Sequence, residues 1–201
     1  KISMKKKIII TGGLGYIGTE LCKLYSGVSW HHDIVVIDNR FISERVNQIR
    51  NWNMEFVQGD ILDKELIRKY CSKADIVHHL AGITSVPRTK NEASIEQDKK
   101  IKEVGEQGTQ NILDVISNNC KIIFPSTHVV YEGINEVKTN IKENETTKPV
   151  LSYSSSKAVN EDQLKKSGKN YVILRLGSVY GYSTDSMRID IMPNLFSKIS
   201  S

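Results

Sequence analysis

A short apolar run, Lys7-Ile8-Ile9-Ile10-Thr11, leads directly into Gly12-Gly13-Leu14-Gly15-Tyr16-Ile17-Gly18, and this junction restricts the possible folds more than any other stretch. A strand apolar at successive positions buries both of its faces, which places it inside a parallel sheet covered on two sides. The glycines suit a tight strand-to-helix turn. Gly12 permits the turn, Gly15 lets a pyrophosphate approach the backbone, and Gly18 allows the helix to pack closely on the strand. The helix amino terminus then offers N–H donors and a positive dipole end to an anion.

The rest of the chain repeats this alternation. A helix is expected near Gly15–Ser26, then strand Asp33–Asp38, helix Ser43–Arg50, strand Met54–Gln58 and helix Asp63–Ser72 with Asp63 as its cap. Strand Ala74–Leu80 precedes one long helix, Ser94–Asn118, whose apolar side carries Ile101, Val104, Ile112, Leu113 and Ile116. Strand Lys121–Phe124, helix Leu151–Lys166 and strand Tyr171–Arg175 complete the pattern. Apolar strands alternating with helices indicate a doubly wound α/β fold. Asn135–Lys148 is hydrophilic and reads as a surface loop. A helix-like pattern over Ile189–Ser201 begins after Pro193 and stops without a capping signal, so the chain is expected to be cut inside a larger protein. Met4 reads as the natural start, with Lys1-Ile2-Ser3 an added remnant.

Composition excludes several classes. A chain of 201 residues supports one substantial core, so residues 1–201 are read as one domain. The net charge of +5 is scattered rather than striped, which argues against a nucleic-acid surface. Lys5-Lys6-Lys7 abuts the first strand and reads as a solubilising edge. Cys22, Cys71 and Cys120 are widely spaced with no CxxC pair, pointing to reduced thiols and a cytoplasmic setting. No apolar run reaches the roughly 18 residues that span a bilayer. His31, His32, His78 and His79 form no ligand pattern with nearby acids, so no metal is expected.

Two further constellations carry chemistry. Asp38 ends the second strand twenty residues after Gly18, where a carboxylate can accept hydrogen bonds from both adenosine-ribose hydroxyls. Its charge would repel a 2′-phosphate, so NAD is preferred over NADP, although Arg40 could pair with that phosphate. Gly59-Asp60-Ile61 comes after the third strand, where it can meet the adenine. Tyr153 and Lys157 lie four residues apart on one helix face. A cation at that spacing favours the phenolate, turning a poor base into a useful one, and can also reach the nicotinamide ribose. Ser126-Thr127 come after the fifth strand, and Thr127 can hold the oxygen that Tyr153 deprotonates.

At this point the chain resembles the extended short-chain dehydrogenase/reductase family, specifically NAD-dependent nucleotide-sugar epimerases and dehydratases of the UDP-galactose 4-epimerase type. The resemblance rests on Thr11-Gly12-x-x-Gly15-x-x-Gly18, Asp38-Asn39, Gly59-Asp60-Ile61, His79-Leu80-Ala81-Gly82 and Gly108-Thr109-x-Asn111. It continues through Ser126-Thr127-x-x-x-Tyr131, Tyr153-x-x-Ser156-Lys157-x-x-x-Glu161 and Leu174-Arg175 before Val179-Tyr180-Gly181. It implies a Rossmann-type sheet whose carboxyl-terminal substrate lobe is largely absent here, and a homodimer built on the Ser94–Asn118 and Tyr153 helices. It also implies that Tyr16, Ile17, Asn39, Asp60, Ile61, Leu80, Ala81 and Gly82 line the dinucleotide beside Gly12, Gly15, Gly18 and Asp38. Thr127, Tyr153 and Lys157 would form the catalytic set, with Tyr153 and Lys157 also touching the cofactor. Thr84, Thr127 and Ser178 would contact a nucleotide sugar.

Two departures matter. In 4,6-dehydratases of the family the catalytic Thr is followed by an acidic pair, or at least a Glu; here His128 and Val129 stand there, which disfavours dehydration. His128 remains open as a catalytic imidazole or a pocket wall. Family Asn positions hold Gly105 and Ser178, which changes substrate contacts. The resemblance therefore implies an epimerase that transiently oxidises a sugar carbinol, with a reductase or dehydrogenase as the alternative. A non-catalytic dinucleotide-binding regulator is the alternative from another class.

Overall fold

In the computed structural model, residues 5–84, 94–183 and 192–199 are described. Six strands form one sheet: β1 (Lys7–Thr11), β2 (Asp33–Asp38), β3 (Glu55–Gln58), β4 (Ile76–His79), β5 (Lys121–Thr127) and β6 (Asn170–Leu176). All neighbours pair in parallel, in the order β3-β2-β1-β4-β5-β6. The helices are α1 (Tyr16–Ser26), α2 (Ser43–Asn51), α3 (Lys64–Cys71), α4 (Ile95–Lys102), α5 (Gly108–Val115), α6 (Ser152–Lys166) and α7 (Met192–Ile199). The six strands read from the sequence are all present, as are its helices apart from the single helix expected over Ser94–Asn118. The expected start at Met4 lies outside the described residues, as do positions 189–191 and 200–201 of the carboxyl-terminal pattern, whose described part is α7.

The two-sided burial is dictated by the strand sequences. Along β1 and β2, Ile9, Val35 and Ile37 face one core with Ile67, Cys71, Ile112, Leu113 and Leu164 from α3, α5 and α6. The alternate residues Ile8, Ile10, Ile34 and Val36 face the other, with Cys22 of α1 and Val46 and Ile49 of α2. Because strand side chains alternate between faces, only an unbroken apolar run can serve both cores. The three cysteines are reduced and buried in these cores; burial pushes Cys22 and Cys71 up to about 12.

One expectation is corrected. The stretch Ser94–Asn118 is not a single regular helix: α4 and α5 are joined by a π-helical turn, Glu103–Gln107. A π turn inserts one extra residue and so rotates α5 relative to α4. Gly105 lies in this turn, where an added Cβ would come within 2.4 Å of Ser156 Oγ on α6. The glycine thus permits close packing against the helix that carries Tyr153 and Lys157. Asp63 caps α3 as expected, accepting from the Glu65 and Leu66 N–H groups. The hydrophilic segment 135–148 is a largely exposed loop without regular structure.

The strand order reverses between β1 and β4. In open parallel sheets this opens a crevice beyond the strand carboxyl ends, where ligands bind.

Candidate functional site

A cleft of about 1360 Å³ lies at that switch point. Gly12, Gly15, Tyr16, Ile17, Gly18, Asp38, Asn39, Asp60, Ile61, Leu80, Ala81 and Gly82 all line it, as do Thr84, Thr127, Tyr153, Lys157 and Ser178. The tertiary structure therefore brings together every site residue read from the sequence.

The glycine turn is built by close contacts. Gly12 has φ +71, and a Cβ there would stand 2.6 Å from Ala81 N. Its N–H donates to Ile37 O at 2.7 Å, tying the turn to the end of β2. A Cβ on Gly18 would meet Gly12 O at 2.4 Å. The α1 N-cap is Gly15, which supplies no side-chain acceptor, and the first turn of α1 holds no acidic residue. The uncapped amino terminus facing the cleft therefore suits a diphosphate, and the residues present fit a dinucleotide.

Asp38 is buried at the carboxyl end of β2. Its carboxylate accepts from Leu14 N–H and Arg40 N–H, each at 3.0 Å, and pairs with the Arg40 guanidinium through Nε at 3.2 Å. By sequence, Asp38 and Arg40 are rival determinants of the cofactor; in the fold they form one pair. Asn39 donates to Asp60 at 3.1 Å, joining the loops after β2 and β3.

Behind the cleft, the motif around Thr109 acts as a strut. His79 sits between Thr11 Oγ1 at 2.9 Å and Thr109 Oγ1 at 3.0 Å. Burial, with the nearby Lys157 charge, pushes its imidazole down to about 3. Asn111 donates to Ile61 O at 3.0 Å, which holds the adenine-side loop against α5.

The wall carrying Thr127, Tyr153 and Lys157 comes from β5 and α6. Thr127 closes β5, is buried, and accepts from Val129 N–H at 3.3 Å. Tyr153 is the second residue of α6, with Lys157 one turn later. The Lys157 ammonium lies 5.9 Å from the Tyr153 ring centre and 4.4 Å from that of Phe124. It donates to Pro125 O at 2.9 Å, and burial brings it down to about 8. His128 lines the cleft with Nδ1 donating to Leu176 O at 3.1 Å.

Three features gained no role from the sequence. Glu161 is buried on α6, accepting from Ser126 Oγ at 2.7 Å and from Arg175 Nε at 2.8 Å. Burial alone would raise this carboxyl, but the Arg175 and Ser126 hydrogen bonds bring it below the usual range. Tyr16 Oη donates to Gly181 O, and Asn194 of α7 donates to Tyr16 at 3.4 Å, so the glycine turn touches the chain beyond β6. Glu132 accepts from the amino-terminal edge of α6. The spacing Lys157-x-x-x-Glu161 marked the first of these, and the glycine motif marked Tyr16 as lining the cofactor; no local pattern marked the Tyr16 contacts with Gly181 and Asn194 or the role of Glu132. Among the described residues, no three His, Cys, Asp or Glu gather as metal ligands, and no helix is long and apolar enough to cross a membrane.

Comparison with known proteins agrees with this geometry. The model of the NAD dependent epimerase/dehydratase family matches residues 8–201. The chain is 30% identical over 197 residues to a dTDP-D-glucose 4,6-dehydratase of Dictyostelium discoideum, covering 88% of this chain and 44% of that protein. It is 32% identical over 187 residues to a putative UDP-glucose 4-epimerase of Methanocaldococcus jannaschii, covering 89% and 57%. It thus spans about half the length of the curated relatives it matches. Among solved structures, the enzyme WbmH of Bordetella bronchiseptica in complex with NAD+ aligns with a TM-score of 0.77 at 25% identity, over 97% of this chain and 62% of that one. Glycine turn, acidic strand end, Thr-Tyr-Lys wall and matched family model converge: the chain belongs to the NAD-dependent epimerase/dehydratase family, whose cofactor is NAD.

Proposed function

We propose that the protein is a nucleotide-sugar epimerase working by transient oxidation of a sugar carbinol to a ketone. The observation that carries this reading is the placement of Thr127, Tyr153 and Lys157 along the same cleft as the glycine turn and Asp38, with no carboxylate directly after Thr127.

Gly12, Gly15 and the α1 amino terminus would hold the diphosphate of NAD, Asp38 its adenosine ribose and Lys157 its nicotinamide ribose. NAD bound there supplies a hydride acceptor that can return the same hydride. Thr127 orients the sugar hydroxyl by hydrogen bonding, and Tyr153 Oη takes its proton as the carbinol C–H is lost. Lys157, charged below about pH 8, favours the phenolate. With the ketone turned over within the cleft, its opposite face would be presented to the cofactor held by Gly12, Gly15 and Lys157, and Tyr153 would give the proton back to the oxygen. No redox equivalent is consumed. His128 and Val129 offer no carboxylic acid to protonate a departing hydroxyl, which favours epimerisation over dehydration. We place the whole of 1–201 in the cofactor domain, with substrate selectivity shared with a further lobe, and the protein as a homodimer through the Ser94–Asn118 stretch, which holds α4 and α5, and α6. Light scattering of the full-length protein tests the last point.

The deciding experiment incubates full-length protein with UDP- and GDP-hexoses without added cofactor. Epimer formation with no net NADH absorbance supports the reading; strict dependence on added NAD(P)H indicates a reductase instead. Tyr153→Phe is expected to cut turnover at least a hundredfold, on the scale of losing a positioned acid–base group, while calorimetry shows nearly unchanged NAD binding. Unchanged turnover sinks the assignment of the base.

A further inference from the structure

Tyr153 stands in a mechanically weak place. It is the second residue of α6, where the first backbone N–H groups have no helical partners. The N-cap is Leu151, whose side chain cannot accept a hydrogen bond, and its N–H and that of Val150 reach the helix's own Ser154 Oγ only at a long 3.2 and 3.3 Å. The segment leading into the helix, 135–148, is an exposed loop. A base whose ring must meet a carbinol within a fraction of an ångström needs a firmer mount.

The mount comes from Glu132, which ends the turn beginning at Thr127. A single oxygen, Oε1, accepts from Val150 N–H and Leu151 N–H, each at 2.7 Å, and from Ser154 Oγ–H. These three donors bracket Tyr153. The neighbouring backbone closes the same neck: Lys148 N–H donates to Val130 O and Gly133 N–H to Lys148 O, both at 2.8 Å. Gly133 is required for this approach, since a Cβ there would come within 2.6 Å of Lys148 O. The hydrophilic loop thus has a hydrogen-bonded base that joins the Thr127 turn to the Tyr153 helix. Burial alone would raise the Glu132 carboxyl, but the Ser154, Leu151 and Val150 hydrogen bonds hold it below the usual range, so it is ionised at neutral pH and complements the helix dipole.

We propose that Glu132 is a positioning residue for the proposed epimerisation, locking the first turn of α6 to the Thr127 turn and so setting how Tyr153 meets the sugar hydroxyl. This rests on the reading of Tyr153 as the base.

The test uses full-length protein carrying Glu132→Gln or Glu132→Ala. Both remove the charge, but only Gln keeps an oxygen able to accept the N–H groups, so a difference between them reports the hydrogen bonds. Turnover is counted per NAD-loaded site, which removes any loss of folded protein. For Ala, kcat is expected to fall on the order of tenfold to a hundredfold, with KM and NAD affinity within about twofold of wild type; Gln recovers most of the loss. A second readout needs no turnover: Tyr153 ionisation, followed as tyrosinate absorbance against a Tyr153→Phe background. It is expected at a pH higher by roughly half a unit or more in Ala than in Gln, because the ring is no longer held beside Lys157. If the two variants agree in both kcat and titration, the proposal is overturned. If wild type turns over no nucleotide sugar while the titrations still differ, the epimerase reading has failed and the mount stands.

Discussion

Lys157 is expensive where it sits. A buried ammonium loses hydration, and its low value of about 8 measures that loss; the Pro125 carbonyl and the Phe124 ring face compensate only in part. The role proposed for it at the nicotinamide ribose would thus carry a cost in stability. Lys157→Met should therefore be more heat-stable than wild type at pH 7, by about 1 kcal/mol, while losing turnover. Calorimetric melting and an epimerisation assay on one preparation check both halves; a variant that is less stable refutes the idea that burial of this charge is costly. The Tyr153–Lys157 pair was legible in the sequence because its parts share one helix, where a spacing of four fixes proximity. The Asp38–Arg40 pair was only half legible. Both residues were visible, but whether the guanidinium lies on the carboxylate or turns away depends on the loop after β2.

At the scale of elements, the boundaries read from the sequence hold to within a few residues because each is set by local chemistry: glycines after β1, the Asp63 cap, and apolar runs of strand length. The break between α4 and α5 was not legible. Residues 103–107 carry ordinary helix-forming side chains apart from Gly105, and the extra residue of the π turn is decided by packing against α6. Gly108, just after the turn, tests a different contact, how closely α5 packs on Ile61 after β3. A Cβ there would lie 2.3 Å from Ile61 Cδ1 and 2.7 Å from its Cγ1. Replacing a helical glycine by alanine gains at most about 1 kcal/mol in propensity, whereas overpacking costs about 1–3 kcal/mol. The clash should win. Gly108→Ala is expected to unfold at lower urea and to bind NAD more weakly, since Ile61 lines the cleft; a stabilised variant would show that the loop after β3 yields freely.

Across the whole molecule, buried titratable groups set a pH dependence. His79 falls from an ordinary 6.5 to about 3, His78 to about 4, and Lys157 from 10.5 to about 8. For each of these bases the unfolded chain binds more protons between the two values, so stability rises with pH through each window. Cys22, Cys71 and Cys120, raised from 9.0 to about 12, 12 and 11, act with the opposite sign above about pH 9. The fold is therefore expected to lose stability as pH drops from about 6.5 toward 3, to level off between about 6.5 and 8, to gain from about 8 to 9, and to lose again above about 9 as the thiols outweigh Lys157. Urea midpoints across that range measure it. Lys157→Met should lack the alkaline rise, and a rise that persists would assign it to another group.

The amino-acid sequence by itself determined the alternation of strands and helices, the two-sided burial of β1 and β2, the glycine turn and the placing of Tyr153 and Lys157 one helical turn apart. These depend on contacts within a few residues, or on side chains that suit only one environment. Only the tertiary structure decided that Thr127 and Tyr153, separated by a hydrophilic loop, are joined at its neck by Glu132. Only there does Arg40 fold onto Asp38, and Glu161 find Ser126 and Arg175. Those contacts join residues brought together by the packing of separate elements, or depend on how a loop turns, and no spacing along a chain encodes either.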